Sequence, residues 1–596
     1  VTEGTRTSPG PLTFRLWAPD ARTVELRLGA DGATTVPMVR GDDGWWEVTT
    51  DPGDGRYAYS LDGGSPVPDP RSRWQPDGVH APSALVDPAA FPWTDAGWRG
   101  VPLEDAVVYE LHVGTFTPER TFDGVVAHLD HLVDLGVTVV ELMPVAAFPG
   151  RHGWGYDGVA PYAVHAPYGG PAGLARLVDA AHAHGLAVWL DVVHNHLGPS
   201  GNYLGQVAPY FTDRHHTPWG AAVNLDGPGS DEVRAYLLDN VRLWLEDYHL
   251  DGLRLDAVHA LHDERATHLL EEMAALADEI GERTGIPRTL VAESDRNDPA
   301  TVTPRAPGGA GGLGLHGQWA DDVHHALHVA LTGEAQGYYA DFADPQALPK
   351  VLGTTPFFHD GTYSTFRGRV HGRAVDPSTT PGRRFVASLQ THDQVGNRAT
   401  GDRLGHGIPL GRAAAGAALL LTSPYTPMLF MGEEWGASTP WQYFTDHQEE
   451  WLAEAVRQGR QAEFAEHGWG AAVPDPQDEG TVTASTLRWE EVAREGHREL
   501  LAFYRQLIHL RRTVPALRSV GLGEVEVCRG PGAAVTVRRG DVRVVAVLGG
   551  GSRGGGRVEG ELPEGAEVLA RFGAVQLDGG RIVVGPDSVV VLGGCA

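Results

Sequence analysis

Three apolar runs in the middle of the chain each end on a carboxylate: GLRLDAVHA at Asp256, TLVAESD at Glu293 and LQTHDQVGNR at Asp393. A carboxylate that closes a buried strand is costly unless chemistry or a buried partner needs it there. Two flanking carboxylates are the working parts of a glycosidase, and a third can bind the distorted sugar. Carbohydrate chemistry is therefore the leading reading. Other polar groups close similar runs: Asp191, Asn195 and His196 in DVVHNH, Arg254 and His259 around Asp256, and His392 beside Asp393.

The elements that must position these residues are strand-then-helix units. From about residue 96, eight runs read as strands: AVVYELHV, VTVVELMP, LAVWLDVV, LDGLRLDAV, TLVAESD, a short one near GQWADD, FVASLQTHD and TPMLFMGEE. Most are continuously apolar and then turn polar, as parallel strands buried on both faces should. Amphipathic helices fill the gaps, with Val125, Leu129, Leu132 and Val133 on one face of the first. Leu174, Leu177, Val178 and Ala181 do the same in another. Eight such units predict a central (β/α)8 TIM barrel with insertions over 96–518, whose active site lies at the C-terminal strand ends. Every polar group named above falls at such an end. An open doubly wound sheet competes, but the chain has no Gly-rich nucleotide loop.

Residues 1–95 alternate apolar and polar side chains between Gly/Pro/Asp turns, as in LTFRLWAPDA and TVELRL. They predict an N-terminal β-sandwich resembling a carbohydrate-binding module. ELLAFYRQLIHLRR (499–512) predicts a last helix, and 519–596 an antiparallel C-terminal β-domain. GGGSRGGGR (549–557) reads as a loop.

The formal charge of −30 excludes partners that bind through a basic surface, nucleic acid and anionic membranes among them. No run approaches ~18 apolar residues, so no membrane span is expected. VTEGTRTSPGPLTF lacks the basic and apolar regions of a signal peptide, and Cys528 and Cys595 are the only cysteines. A cytoplasmic monomer fits, with one disulfide between those two still open. The 16 tryptophans could be sugar platforms, although pairs such as Trp45–Trp46 read equally well as core or interface.

Taken together, DVVHNH, GLRLDAVH, VAESD and THDQVGN resemble the α-amylase superfamily, glycoside hydrolase family 13. FRLWAPDA and VVYELHVGTFT are similar to its glycogen-branching and trehalohydrolase members. YFTDRHHTPWGAAVN, AESDRNDP, QWADDVHHALHVALTGEAQGYYADF and MGEEWGASTPWQYFTDH resemble the maltooligosyltrehalose trehalohydrolase branch. The resemblance implies a retaining mechanism, with Asp256 as nucleophile, Glu293 as general acid/base and Asp393 as the third carboxylate. Arg254 would hold Asp256 ionised. His196 and His392 would hydrogen-bond the reacting glucose, and Tyr156 would stack on it. His259, Gln394 and Asn397 would line the substrate path. Asp321, Asp322, His324 and His325, in WADDVHH, would contact the sugars past the cleavage point; a solvated helix start is the plainer reading of that cluster.

Asn195 stands where many α-amylases bind calcium, but the other ligands are not matched, so neither metal nor cofactor is expected. The implied substrates are maltooligosyltrehalose and other α-1,4-glucan oligosaccharides, cut at the α-1,4 bond beside the trehalose end. A branching enzyme is the alternative, and a non-catalytic glycan-binding protein a more remote one.

Overall fold

The computed structural model describes residues 10–306, 311–466, 473–518, 521–530, 533–549 and 556–595. The readings of residues 1–9 and of most of the loop at 549–557 lie outside these. Eight parallel strands close into a barrel: β1 (Val108–Leu111), β2 (Val139–Leu142), β3 (Ala187–Val192), β4 (Gly252–Leu255), β5 (Thr289–Ala292), β6 (Gly317–Trp319), β7 (Phe385–Ser388) and β8 (Thr426–Phe430). Each is buried along its whole length, the two-sided burial that continuous apolar runs predict. All eight expected strands are present.

The first helical unit departs from expectation. It is two helices, Phe122–Val126 and Leu129–Leu135, broken at His128, which has φ −117° and ψ 9°. The second turns its Leu129, Leu132 and Leu135 face inward. Val125, Leu129 and Leu132 are fully buried, but Val133 is exposed. Leu174, Leu177, Val178 and Ala181 are buried on helix Gly170–Ala183 as expected.

The N-terminal sandwich pairs a three-stranded sheet (Leu12–Trp17, Trp45–Thr50, Val39–Arg40) with a four-stranded one (Thr34–Pro37, Val24–Leu28, Arg56–Leu61, Ser83–Ala84). Its aromatic residues work in packing and docking. Trp46 is buried and donates to the Ala18 carbonyl, while Trp17 meets Tyr210 of the barrel edge-on at 5.6 Å. Arg71 pairs with Asp239 at 2.8 Å, under the hydrogen bond from Tyr236 to the Pro70 carbonyl.

The expected last helix runs His497–Thr513, followed by five- and three-stranded antiparallel sheets. Arg539 of the C-terminal sheet donates to the Thr422 and Ser423 carbonyls at 2.8 and 2.7 Å, capping helix Leu410–Leu421. Cys528 is exposed, Cys595 is buried, and both are free thiols. Among the described residues no helix is long and apolar enough to cross a membrane.

Candidate active site

The polar strand ends meet around one guanidinium. Arg254, on β4, is fully buried. Its Nη1 donates to Asp191 Oδ2 at 2.6 Å and Asp256 Oδ1 at 3.0 Å. Its Nη2 donates to Glu293 Oε2 at 2.9 Å and lies 3.8 Å from Asp393 Oδ2. One planar fork thus orients four acids, a role lysine's point charge could not fill. The guanidinium carbon lies 4.2 Å over the Trp319 ring, which walls off its lower face.

Asp256 follows β4 directly. The Asn195 side-chain amide donates to its Oδ2 at 2.7 Å and to its carbonyl at 2.9 Å. Ala257 then turns left-handed, at φ 39° and ψ 49°, a conformation that side-chain-bearing residues rarely adopt. That turn aims its N–H at Glu293 Oε2, 2.7 Å away. Burial raises the Glu293 carboxyl above its ordinary range; Arg254 opposes this and the Asp256 charge adds to it. Burial also raises Asp393, with His392 opposing, and pushes Asp191 up to about 7 against the pull of Arg254.

Asp393 sits in the short helix His392–Gly396, which Thr391 caps by accepting from the Gln394 N–H. Gly396 is required there, because any side chain would run into the rings of Trp154 and Trp441. Asn397 reaches Asp393 Oδ1 at 3.4 Å. The Tyr156 hydroxyl donates to Asp191 Oδ2 at 2.6 Å and lies 2.6 Å from His392 Nε2, with the two rings stacked. A cavity of about 600 Å³ opens above, lined among others by Tyr156, His196, Trp219, Asp256, His259, Glu293, Asp393 and Tyr443.

Several of the residues expected to contact sugar have their polar atoms engaged by protein or lie away from the cavity. Both nitrogens of His196 are engaged, Nδ1 by Asn195 Oδ1 at 2.6 Å and Nε2 by the Tyr156 carbonyl at 3.0 Å. His196 therefore offers the cavity a ring stacked on Trp219 rather than a free nitrogen. His392 is similarly occupied, between Glu110 and Tyr156.

The WADDVHH cluster divides. Asp321 opens helix Asp321–Thr332 with an exposed side, and the protein around its carboxyl, then Glu293 and Asp393, raise it above the ordinary range. Asp322 accepts from Asn297 Nδ2 and the Phe358 and His359 amides and so anchors the loop at 357–359. His324 is buried and, with Gln394, lines a separate cavity of about 270 Å³. His325 bonds the Asp321 carbonyl at 2.5 Å and packs on Tyr338, Tyr339 and Phe342.

Asn195 uses both ends of its amide on protein partners. Among the described residues no group of three or more His, Cys, Asp or Glu side chains is placed to hold a metal ion. Sequence reasoning passed over Trp219, Trp319 and Glu110. An acid inside the apolar run VVYELHV was a usable signal for the last of these.

Comparison with known proteins follows this geometry. Residues 107–218 match the family described as Alpha amylase, catalytic domain, and residues 4–85 match Carbohydrate-binding module 48 (Isoamylase N-terminal domain). The chain is 54% identical to the malto-oligosyltrehalose trehalohydrolase of Arthrobacter ramosus, over 97% of this chain and 99% of that one. It is 51% identical to the same enzyme of Rhizobium sp. (strain M-11), over 97% of each. A branching enzyme of Mycobacterium bovis is more distant, at 31% over 72% of this chain. Among solved structures, a putative alpha amylase from Salmonella typhimurium matches with TM-score 0.87 at 39% identity, over 98% of this chain and 99% of that one.

Proposed function

Since the chain belongs to the malto-oligosyltrehalose trehalohydrolase family of α-amylase-type glycosidases, we propose that it hydrolyses the α-1,4 bond beside the trehalose end of maltooligosyltrehalose and releases trehalose. Asp256 attacks the anomeric carbon while Glu293 protonates the departing oxygen. Glu293 then acts as base on the water that frees Asp256. Asp393 binds the ring hydroxyls of the strained sugar.

The observation that carries this reading is the Arg254 fork, which binds Asp256 through one nitrogen and Glu293 through the other. A shared guanidinium keeps the two carboxyls close together, in line with the retaining pair of this family. The surroundings differ in one respect: Asp256 accepts a further hydrogen bond from Asn195, whereas burial favours a proton on Glu293. Glu293 Oε2 already accepts from Arg254 and Ala257, so Oε1 is the oxygen left to carry that proton.

The test incubates the protein separately with maltooligosyltrehalose and with the matching plain maltooligosaccharide, following products by chromatography. Rapid trehalose release with little attack on the plain oligomer is expected. Branched glucans without trehalose would transfer the assignment to a branching enzyme.

A further inference from the structure

Beneath the catalytic layer lies an acid that the hydrolytic reading leaves unused. Glu110, on β1, is 1% exposed. Its Oε1 lies 2.5 Å from His392 Nδ1, and its Oε2 accepts from the His392 backbone N–H at 2.9 Å. One carboxylate therefore fixes both the ring and the backbone of the loop that carries Asp393.

We propose that Glu110 is a positioning residue for glycoside cleavage: by gripping His392 at ring and backbone, it sets the direction of the hydrogen bonds that orient Tyr156 and Asp393. The inference rests on the active-site reading above.

As the imidazolium, His392 donates Nδ1–H to Glu110 and Nε2–H toward Tyr156 and Asp393 Oδ1, the latter 3.4 Å away. Tyr156 can then give its own proton to Asp191. Without the Glu110 charge the ring is more readily neutral and has one proton to place; held at Nδ1, that proton leaves Nε2 to accept from Tyr156 and pull its hydroxyl off Asp191.

The groups facing His392 are Glu110, Glu141, Asp191, Tyr156, Arg254, His112 and Asp393. Trp154, Trp319 and Trp441 close the remaining sides and keep water out. Burial disfavours the imidazolium and Arg254 opposes it, yet Asp393 and Glu110 together raise His392 to about 9. Glu141, paired with Glu110 in register on β2, is different. It is buried with neither oxygen bonded to protein, and desolvation, then Glu110, keep its proton on.

The experiment compares Glu110→Gln, Glu110→Asp and Glu141→Gln with wild type on maltooligosyltrehalose across pH. Glu110→Gln should fold, lose about 10²-fold in kcat, as a misplaced site does, and keep KM within about threefold. Its pH profile should narrow from the alkaline side, because the imidazolium that Glu110 supports is lost at lower pH. Glu110→Asp keeps the charge and should restore the width of the profile. Glu141→Gln, one neutral group for another, should change kcat by less than about threefold.

A Glu110→Gln enzyme with an unshifted profile overturns the proposal, whether its rate is normal or it is merely less stable. Equal damage from Glu110→Asp and Glu110→Gln, with no recovery of profile width, does the same. Asp256→Asn, run alongside, separates this outcome from failure of the active-site reading, because only that failure would leave Asp256→Asn active.

Discussion

Asn195 holds Asp256 by two hydrogen bonds from one side-chain amide, to the carboxylate at 2.7 Å and to the carbonyl at 2.9 Å. The grip pins both the charge and the backbone of the attacking residue. Asn195→Ala should therefore lower kcat by about 10²-fold with a smaller change in KM, since the loss is one of alignment. Steady-state kinetics on maltooligosyltrehalose check this.

Arg254→Leu should cost both activity and stability. It leaves Asp191, Asp256 and Glu293 without their shared cation in a buried site, and breaking such a pair costs about 3–5 kcal/mol. Urea unfolding at pH 7 measures the loss. The deficit should shrink at lower pH, where Asp191, already pushed up to about 7, takes a proton.

Glu293 must enter the reaction protonated, and its raised carboxyl places the alkaline limb of kcat/KM above the usual carboxylate range. Activity falls as pH rises through that value. Glu293→Gln should lose at least about 10³-fold on maltooligosyltrehalose and lose the alkaline limb. With an α-glucosyl fluoride donor, whose leaving group needs no proton, formation of the glycosyl-enzyme should be largely restored. Burst kinetics read it.

How much of this was legible follows from the cost of burying charge. Asp256, Glu293, Asp393 and Arg254 stand out because each interrupts an apolar run that parallel strands bury on both faces. The eight strands were legible for the same reason. Asp321 and Asp322 look alike in sequence, yet one is exposed and its neighbour, about 100° further round the helix, serves the loop at 357–359. Only the packing of that insertion tells them apart. Val133 was misjudged because the helix after the break at His128 turns its Leu129, Leu132 and Leu135 face inward, which leaves Val133 at the edge of the apolar stripe.

Glu433, buried after β8, gives a stability prediction of opposite sign to a salt-bridged acid. Burial pushes it up to about 8; the Tyr504 hydroxyl at 3.0 Å opposes this and Glu434 adds to it. The unfolded chain releases this proton near pH 4.3 while the folded chain keeps it, so the residue weakens the fold progressively as pH rises from there to about 8. Glu433→Gln should be nearly neutral at pH 5 and more stable than wild type at pH 9 by on the order of 2 kcal/mol. Urea midpoints at the two pH values decide it.

Arg539 belongs to the C-terminal sheet, but the Thr422 and Ser423 carbonyls it holds directly follow helix Leu410–Leu421 of the barrel. The same helix packs against strands Val542–Val547 and Ser588–Gly593. A chain cut after residue 518 would bare that helix face and leave its last turn to Arg511 alone. Where the protein changes architecture should thus not be where it comes apart: the contacts across that boundary predict that the barrel and the sheet behind it melt as one cooperative body.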